Sequence, residues 1–344
     1  MEKKLNIAVI GCSKGMGARH VAGVIANDRA NLYGVCDIDV DQMNLVAEKY
    51  HAEKASADWH DFVNDPNVDA VIVVTPDFLH LEMTETFLRA GKHVLCEKPL
   101  ALTTEECEKM MQAEKEAGKK LMVGQVGRYA PAFRKAKRMI EAGEIGELYL
   151  VESEYAHDYS HSPGADNWRV NPARHAVIGG GCHAIDLLRW IAGDPTQVSA
   201  YSNHKCLTDW PVDDCSIAIM KFPNNVIGKV MTSIGCKREY TMRSCFYGTK
   251  GTIICDNRSN YLTLFSCGED VFDKVKYTVP QLLPVSIANH NTVAEIKAFA
   301  DAILDDTENP LPAMEGASTV AVCNAVVESC RTGMPVDVKY PVVD

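Results

Sequence analysis

The feature that most restricts the fold of this 344-residue chain is an alternation, over residues 1–125, of short uniformly apolar runs with helix-type segments. The apolar runs lie at 5–10, 32–36, 69–74, 93–96 and 121–124, and the helix-type segments at 16–26, 40–50, 79–90 and 103–117. A strand that is apolar on consecutive residues buries both faces, which requires a parallel sheet covered by helices on either side. Right-handed crossovers then make residues 1–125 an α/β domain of the doubly wound, Rossmann type. Thr103-Thr104-Glu105-Glu106 offers an N-cap for the last of these helices, and Gly118 a stop.

The period changes after residue 125. A helix is predicted over 131–142, a long strand over 146–155 and a helix over 183–192. Strand-type runs follow at 198–204, 215–222, 226–234, 243–247 and 252–255, separated by turn chemistry such as Pro223-Asn224-Asn225 and Gly248-Thr249-Lys250-Gly251. Close spacing favours antiparallel pairing. Helices over 291–304 and 314–331 close the chain, so residues 126–344 read as a second, α+β domain with a mostly antiparallel sheet. Two domains suit the length, at ~150 residues each.

Gly11-Cys12-Ser13-Lys14-Gly15-Met16-Gly17 stands between the first strand and the first helix. Glycines there let the backbone approach a pyrophosphate, and the helix N-terminus supplies N–H groups and a partial positive charge. The spacing GxxxGxG carries one residue more than the usual GxGxxG. Asp37 ends the second strand, where a carboxylate accepts hydrogen bonds from the adenosine ribose and repels a 2′-phosphate. Ile38 and Asp39 add no cation, so the pattern predicts NAD rather than NADP. Alternatively, Asp37 caps the following helix. At the predicted carboxyl edge of the sheet stand Thr75-Pro76 with His80, Glu97-Lys98-Pro99, and Gln125. The ligand crevice of such folds lies there. The predicted cofactor-binding set is therefore Gly11, Ser13, Lys14, Gly15, Met16, Gly17, Asp37, Thr75, Pro76, His80, Glu97, Lys98 and Gln125. An ammonium at Lys98 can donate to a substrate hydroxyl and stabilise alkoxide charge, unless it is held in an ion pair with Glu97.

Composition excludes other classes. Net charge is −11 with no basic stretch, which leaves no surface for nucleic acid. The apolar run before Gly11 is too short for a signal peptide or for a membrane span of ~20 residues, so a cytoplasmic protein with no membrane partner is expected. The 13 cysteines then read as reduced. No CxxC occurs, and the neighbours Cys182 and His183 cannot aim at one ion, so no metal is expected.

Taken together, the motifs resemble those of the glucose–fructose oxidoreductase / inositol dehydrogenase / rhizopine-catabolism (Gfo/Idh/MocA) family over nearly the whole chain. The resemblance is carried by the glycine turn with His20, Thr75-Pro76 with His80, and Glu97-Lys98-Pro99. It continues through Arg128-Tyr129-Ala130-Pro131, Gly143-Glu144-Ile145-Gly146, Trp168-Arg169, Gly179-Gly180-Gly181, and His183 leading into Ile185-Asp186-Leu187-Leu188-Arg189-Trp190. It implies an open second sheet, tightly held NAD(P), a carbohydrate or cyclitol substrate, and a homo-oligomer (dimer or tetramer) paired through that sheet, for which 226–234 is a candidate that can equally be core. It also implies a Lys-Asp-His catalytic group, in which Lys98 and His183 match and the Lys98–Pro99 bond tends to be cis. The aspartate does not match: its place is Gly179, and Asp186 fits a later, structural aspartate. His175, His157 and Asp158 are candidates to replace it. His183 also stands without the comparison, since an imidazole of ordinary pKa ~6.5 in a first helical turn can take a hydroxyl proton. Alternatively, it caps the helix or packs in the seam between the domains. Trp168 and Arg169 offer a ring platform and a cation, or else a stacked structural pair. The predicted substrate-binding residues are Lys98, Arg128, Tyr155, His157, Trp168, Arg169 and His183, with Lys98 and His183 catalytic.

Three functions are compatible with this pattern. One is an NAD-dependent dehydrogenase of a sugar, glycoside or cyclitol hydroxyl. Another is a redox-neutral enzyme that oxidises transiently and then eliminates or epimerises. The last is a non-catalytic NAD-binding sensor.

Overall fold

The structure, a computed structural model, describes residues 4–161, 168–269, 276–288 and 290–343. The chain forms two compact units, one of Met1–Val126, Asn291–Val320 and Pro341–Asp344, the other of Gly127–His290 and Ala321–Tyr340.

The first unit opens with β1 (Leu5–Ile10), α1 (Met16–Ile25), β2 (Ala30–Cys36), α2 (Val40–Tyr50), β3 (Lys54–Ser56), β4 (Ala70–Val73), α3 (His80–Arg89), β5 (His93–Glu97), α4 (Thr104–Ala117) and β6 (Leu121–Gly124). The six strands lie in the order β3-β2-β1-β4-β5-β6, all parallel. Every residue of β4 and all but one of β1 are buried, as consecutive apolar strands require. Strand order reverses at β1, so a crevice opens at the carboxyl ends of β1 and β4. Thr103 and Glu106 form a reciprocal capping box on α4, and Gly118 ends it at φ +60°. The short β3 is absent from the expected pattern because its three residues, none of them buried, carry no apolar signal.

The second unit contains α5 (Pro131–Glu141), β7 (Leu148–Ala156), α6 (Cys182–Ala192), β8 (Gln197–Asn203), β9 (Cys215–Lys221), β10 (Ile227–Ser233), β11 (Thr241–Gly248), β12 (Gly251–Asp256), β13 (Tyr261–Glu269) and β14 (Lys276–Pro284). The first part of the unit inserts β7 between β11 and β10, and among the described residues β7–β10 is the one parallel pairing in an otherwise antiparallel sheet. The sheet extends beyond the last predicted strand through β13 and β14. On β9 the alternation is regular: Ser216, Ala218 and Met220 are buried, while Ile217 and Ile219 are exposed.

The chain then adds α7 (Thr292–Leu304), α8 (Ala313–Thr332) and β15 (Val336–Asp337), which pairs with β8. A single cut after residue 125 does not describe this return, because 291–320 rejoins the first unit. There α7 packs on α1: Thr292 Oγ1 donates to the Arg19 carbonyl at 3.2 Å, and a side chain at Gly23 would strike Ile296. Arg29 adds bonds of 2.6 Å to Asp301 and Asp305. Among the described residues no helix is long and apolar enough to cross a membrane.

Candidate active site

The glycine turn is tightly constrained. Gly11 has φ +90°, and a Cβ there would lie 2.7 Å from the Val74 carbonyl oxygen. A Cβ at Gly17 would overlap the Gly11 carbonyl oxygen. Gly15 stands at the N-cap of α1 with no side-chain cap; Gly17 N–H donates to the Lys14 carbonyl at 3.0 Å, and the other first-turn N–H groups suit an anion. The extra residue lets the arch lean on Asp37, whose Oδ2 accepts from Ser13 N at 2.9 Å and whose Oδ1 accepts from Asp39 N at 3.0 Å. Asp37 is not the cap of α2. Asp39 takes that role, accepting from Gln42 N, while its other oxygen meets Lys14 Nζ at 2.6 Å. Lys14 holds the Asp39 pKa below its ordinary value.

The remaining cofactor candidates sit at the expected strand ends, but several are engaged by the protein itself. Thr75 Oγ1 donates to Met83 Sδ at 3.4 Å. His80 is buried, with Nδ1 2.9 Å from the Pro99 carbonyl oxygen and Nε2 3.1 Å from that of Thr75. No ring nitrogen is left to face a cofactor, which corrects the expectation of direct contact. Glu97 is also turned inward. Its Oε1 meets His20 Nε2 at 2.7 Å and its Oε2 accepts from Lys98 N at 3.0 Å. Burial raises the Glu97 pKa, but His20 and Lys98 more than offset this and hold it low. Lys98 is half-buried and precedes a cis peptide bond to Pro99. Gln125 Nε2 donates to Thr319 Oγ1 at 3.1 Å, while its buried Oε1 has no partner.

In the second unit, a π-helical turn, Val177–Gly181, leads into α6. Its three glycines admit three side chains. A Cβ at Gly179 would fall on the Arg174 guanidinium, one at Gly180 on the Tyr155 ring, and one at Gly181 on Thr232. The space where an aspartate at 179 would branch is therefore taken by a cation. Arg174 is 4% exposed, donates from Nη2 to the Gly179 carbonyl at 3.3 Å and lies 4.6 Å from the Trp168 ring centre. Arg169 lies 4.5 Å from the same ring, so Trp168 carries two guanidinium groups.

His183, buried in the first turn of α6, stacks on Tyr155 with ring centres 5.9 Å apart. The Tyr155 hydroxyl bonds to Tyr159 at 2.9 Å and to His157 Nδ1 at 3.2 Å. Burial, then the neighbouring tyrosines, push the Tyr155 pKa well up, so the phenol keeps its proton. Tyr240 joins this group, with ring centres 5.5 Å from Tyr155 and 4.7 Å from His157; His290 lies 6.3 Å from His183. Among the three candidates to replace the aspartate, only His157 joins this cluster. Asp158 pairs with Lys237 at 3.1 Å, with its pKa lowered to about 2 chiefly by Ser160. His175 lines a separate cavity of about 240 Å³ with Asp213, Ser202 and Cys330. Arg128 departs from expectation as well: its fork grips Asp186 at 2.6–3.1 Å, and both are buried. It braces α6.

Tyr240 and His290 were not expected because they reach the cluster from far along the chain, and Arg174 and Tyr159 because no motif marks them. Among the described residues no His, Cys, Asp and Glu side chains group in a way that could hold a metal ion.

Comparison with known proteins supplies the context. Residues 5–125 match a family profile described as an oxidoreductase family with an NAD-binding Rossmann fold (GFO_IDH_MocA), and residues 133–254 match the GFO/IDH/MocA C-terminal domain. The chain is 31% identical to inositol 2-dehydrogenase 2 of Saccharopolyspora erythraea over 72% of each protein. It is 28% identical to scyllo-inositol 2-dehydrogenase (NAD(+)) of Bacillus subtilis over 98% of each. A solved levoglucosan dehydrogenase in complex with NADH and levoglucosan superposes with a TM-score of 0.87 at 26% identity, covering 98% of this chain and 100% of that one.

Proposed function

The chain belongs to the Gfo/Idh/MocA family of NAD-binding oxidoreductases, and from that premise we propose that it oxidises a secondary hydroxyl of a sugar, glycoside or cyclitol, with Lys98 and His183 as proton-transfer groups. The observation that carries this reading is the placement of His183. It is buried on α6 among tyrosines and histidines whose hydroxyl and ring groups suit a polyhydroxylated ligand. The inositol and levoglucosan dehydrogenases among the relatives support the same substrate class.

The first unit fits NAD. Gly11 and Gly17 leave no room for side chains, α1 presents an uncapped N-terminus, and Asp37 closes β2 with a carboxylate. When bound, NAD takes a hydride from the carbinol carbon. The Lys98 ammonium steadies negative charge on the substrate oxygen, and His183 removes the hydroxyl proton, so that the carbinol loses a hydride and a proton and becomes a ketone. Arg169, held with Arg174 over the Trp168 ring, offers a cation to the sugar hydroxyls.

Lys98→Ala should bind NAD within a small factor of the parent yet lower turnover ~10²-fold, the loss expected of a proton-transfer group. Single-turnover nicotinamide reduction should rise with pH in the parent and lose that limb in His183→Asn. Persistence of the limb would make another group the base, with His157 the neighbour to test next. The guanidinium in place of a carboxylate at 179 favours a second reading, in which the ketone is transient and the enzyme is redox-neutral. Stoichiometric build-up of NADH absorbance on adding sugar supports the first reading, and turnover without build-up the second.

The reading extends to assembly and place. Tyr201, Ile217, Ile219 and Ile227 are exposed on the second sheet, a surface suited to a second copy of the chain. The free cysteines suit a reducing compartment such as the cytoplasm.

A further inference from the structure

We propose that His80 is a doubly protonated imidazolium that ties the turn after β4 to the loop after β5, and so is a positioning residue for Lys98. This rests on the reading of Lys98 as a proton-transfer group. The argument begins with what each partner can do. Both ring nitrogens of His80 point at backbone carbonyl oxygens, Nδ1 at Pro99 and Nε2 at Thr75, at 2.9 and 3.1 Å. A carbonyl oxygen only accepts, so both nitrogens must donate, and only the imidazolium carries two N–H groups. Either neutral tautomer would aim a lone pair at one carbonyl inside a site that is 1% exposed.

The two carbonyls belong to the ends of adjacent strands, since Val73 of β4 pairs with Cys96 of β5. The ring thus staples one strand end to its neighbour. Lys98 lies just inside that staple. Its N–H is held by Glu97 Oε2 at 3.0 Å, and the carbonyl of the next residue is held by His80. The ionisable groups facing His80 are Asp77, from the turn before α3, and Cys96, from β5. Burial works against the charge, but Cys96, Asp77 and the Pro99 carbonyl outweigh it and push the pKa up to about 9.

The charge state can be read without any assay of turnover. In full-length protein labelled with ¹⁵N-histidine and assigned with His80→Gln, both ring nitrogens of His80 should give protonated-type signals at about pH 7.5. A neutral tautomer there overturns the proposal, whether or not the variant folds. For the positioning role, His80→Gln should lower kcat about tenfold or more, while KM for NAD changes less than about threefold, because a misplaced group costs rate before affinity. A His80→Gln enzyme with parental kcat, alongside an impaired Lys98→Ala, overturns the positioning role alone. Parental turnover in Lys98→Ala would instead defeat the reading of Lys98, and the nitrogen signals would still report the charge on His80.

Discussion

Glu295 lies wholly inside the first unit, on the face of α7 that meets α1, and neither carboxyl oxygen has a hydrogen-bond partner. Burial, reinforced by the charge of Glu97, pushes its pKa well above the carboxylate range. The folded chain therefore keeps a proton that the unfolded chain releases above pH ~4.3, and this group makes the fold less stable as pH rises from there. Glu295→Gln, which imitates the neutral acid, should melt at the parental temperature or higher near pH 8. It should also flatten the loss of stability between about pH 5 and 8. A melting temperature lowered by several degrees would show that the carboxyl has a partner after all. At the same scale, we propose that Asp37 sets the preference for NAD. Asp37→Ala with Ile38→Arg removes the charge that repels a 2′-phosphate and adds one that attracts it. Titration with NAD and NADP should show preference moving toward NADP, and an unchanged ratio would deny Asp37 its role.

Among the elements, the π turn before α6 was not expected, since the predicted helix starts only at residue 183. Its glycines are spacers for side chains that come from elsewhere in the unit, and their neighbours differ in how far they can yield. The Arg174 guanidinium is the end of a long flexible chain, whereas the Tyr155 ring is fixed by two hydrogen bonds and a stacked histidine. Gly180→Ala should therefore cost ~1–3 kcal/mol, the range for overpacking a filled core, and Gly179→Ala distinctly less. Chemical denaturation of the two variants checks the order, and the reverse order would mean the ring is the more mobile group. The parallel sheet of the first unit was legible because its strands are apolar on consecutive residues and its helices carry caps. The run 215–222 was likewise legible as the strand β9, because turn chemistry bounds it. What stayed hidden depends on distant partners: the inward turn of Glu97 toward His20, the grip of Arg128 on Asp186, and the arrival of Tyr240 beside Tyr155 and of His290 beside His183. Each pairing joins residues more than about fifty positions apart, and no local period records it.

At the scale of the whole molecule, the bare face of the second sheet sets an expectation for assembly. Ile217, Ile219 and Ile227 are each about half exposed and lie on the neighbouring strands β9 and β10. Light scattering should show a dimer or tetramer, and Ile217→Glu with Ile219→Glu should shift it toward monomer while leaving the circular dichroism intact. A parent that is monomeric at micromolar concentration would deny this face a partner.

The return of the chain through α7 matters for biosynthesis. All strands of the parallel sheet are translated before residue 125, but the helix that covers α1 is not made until after residue 290. At ~5–20 residues per second, a nascent chain spends roughly ten seconds or more with that side of α1 uncovered. The first unit to be synthesised is therefore among the last to be completed, and a chaperone that binds apolar surface has its longest opportunity on α1.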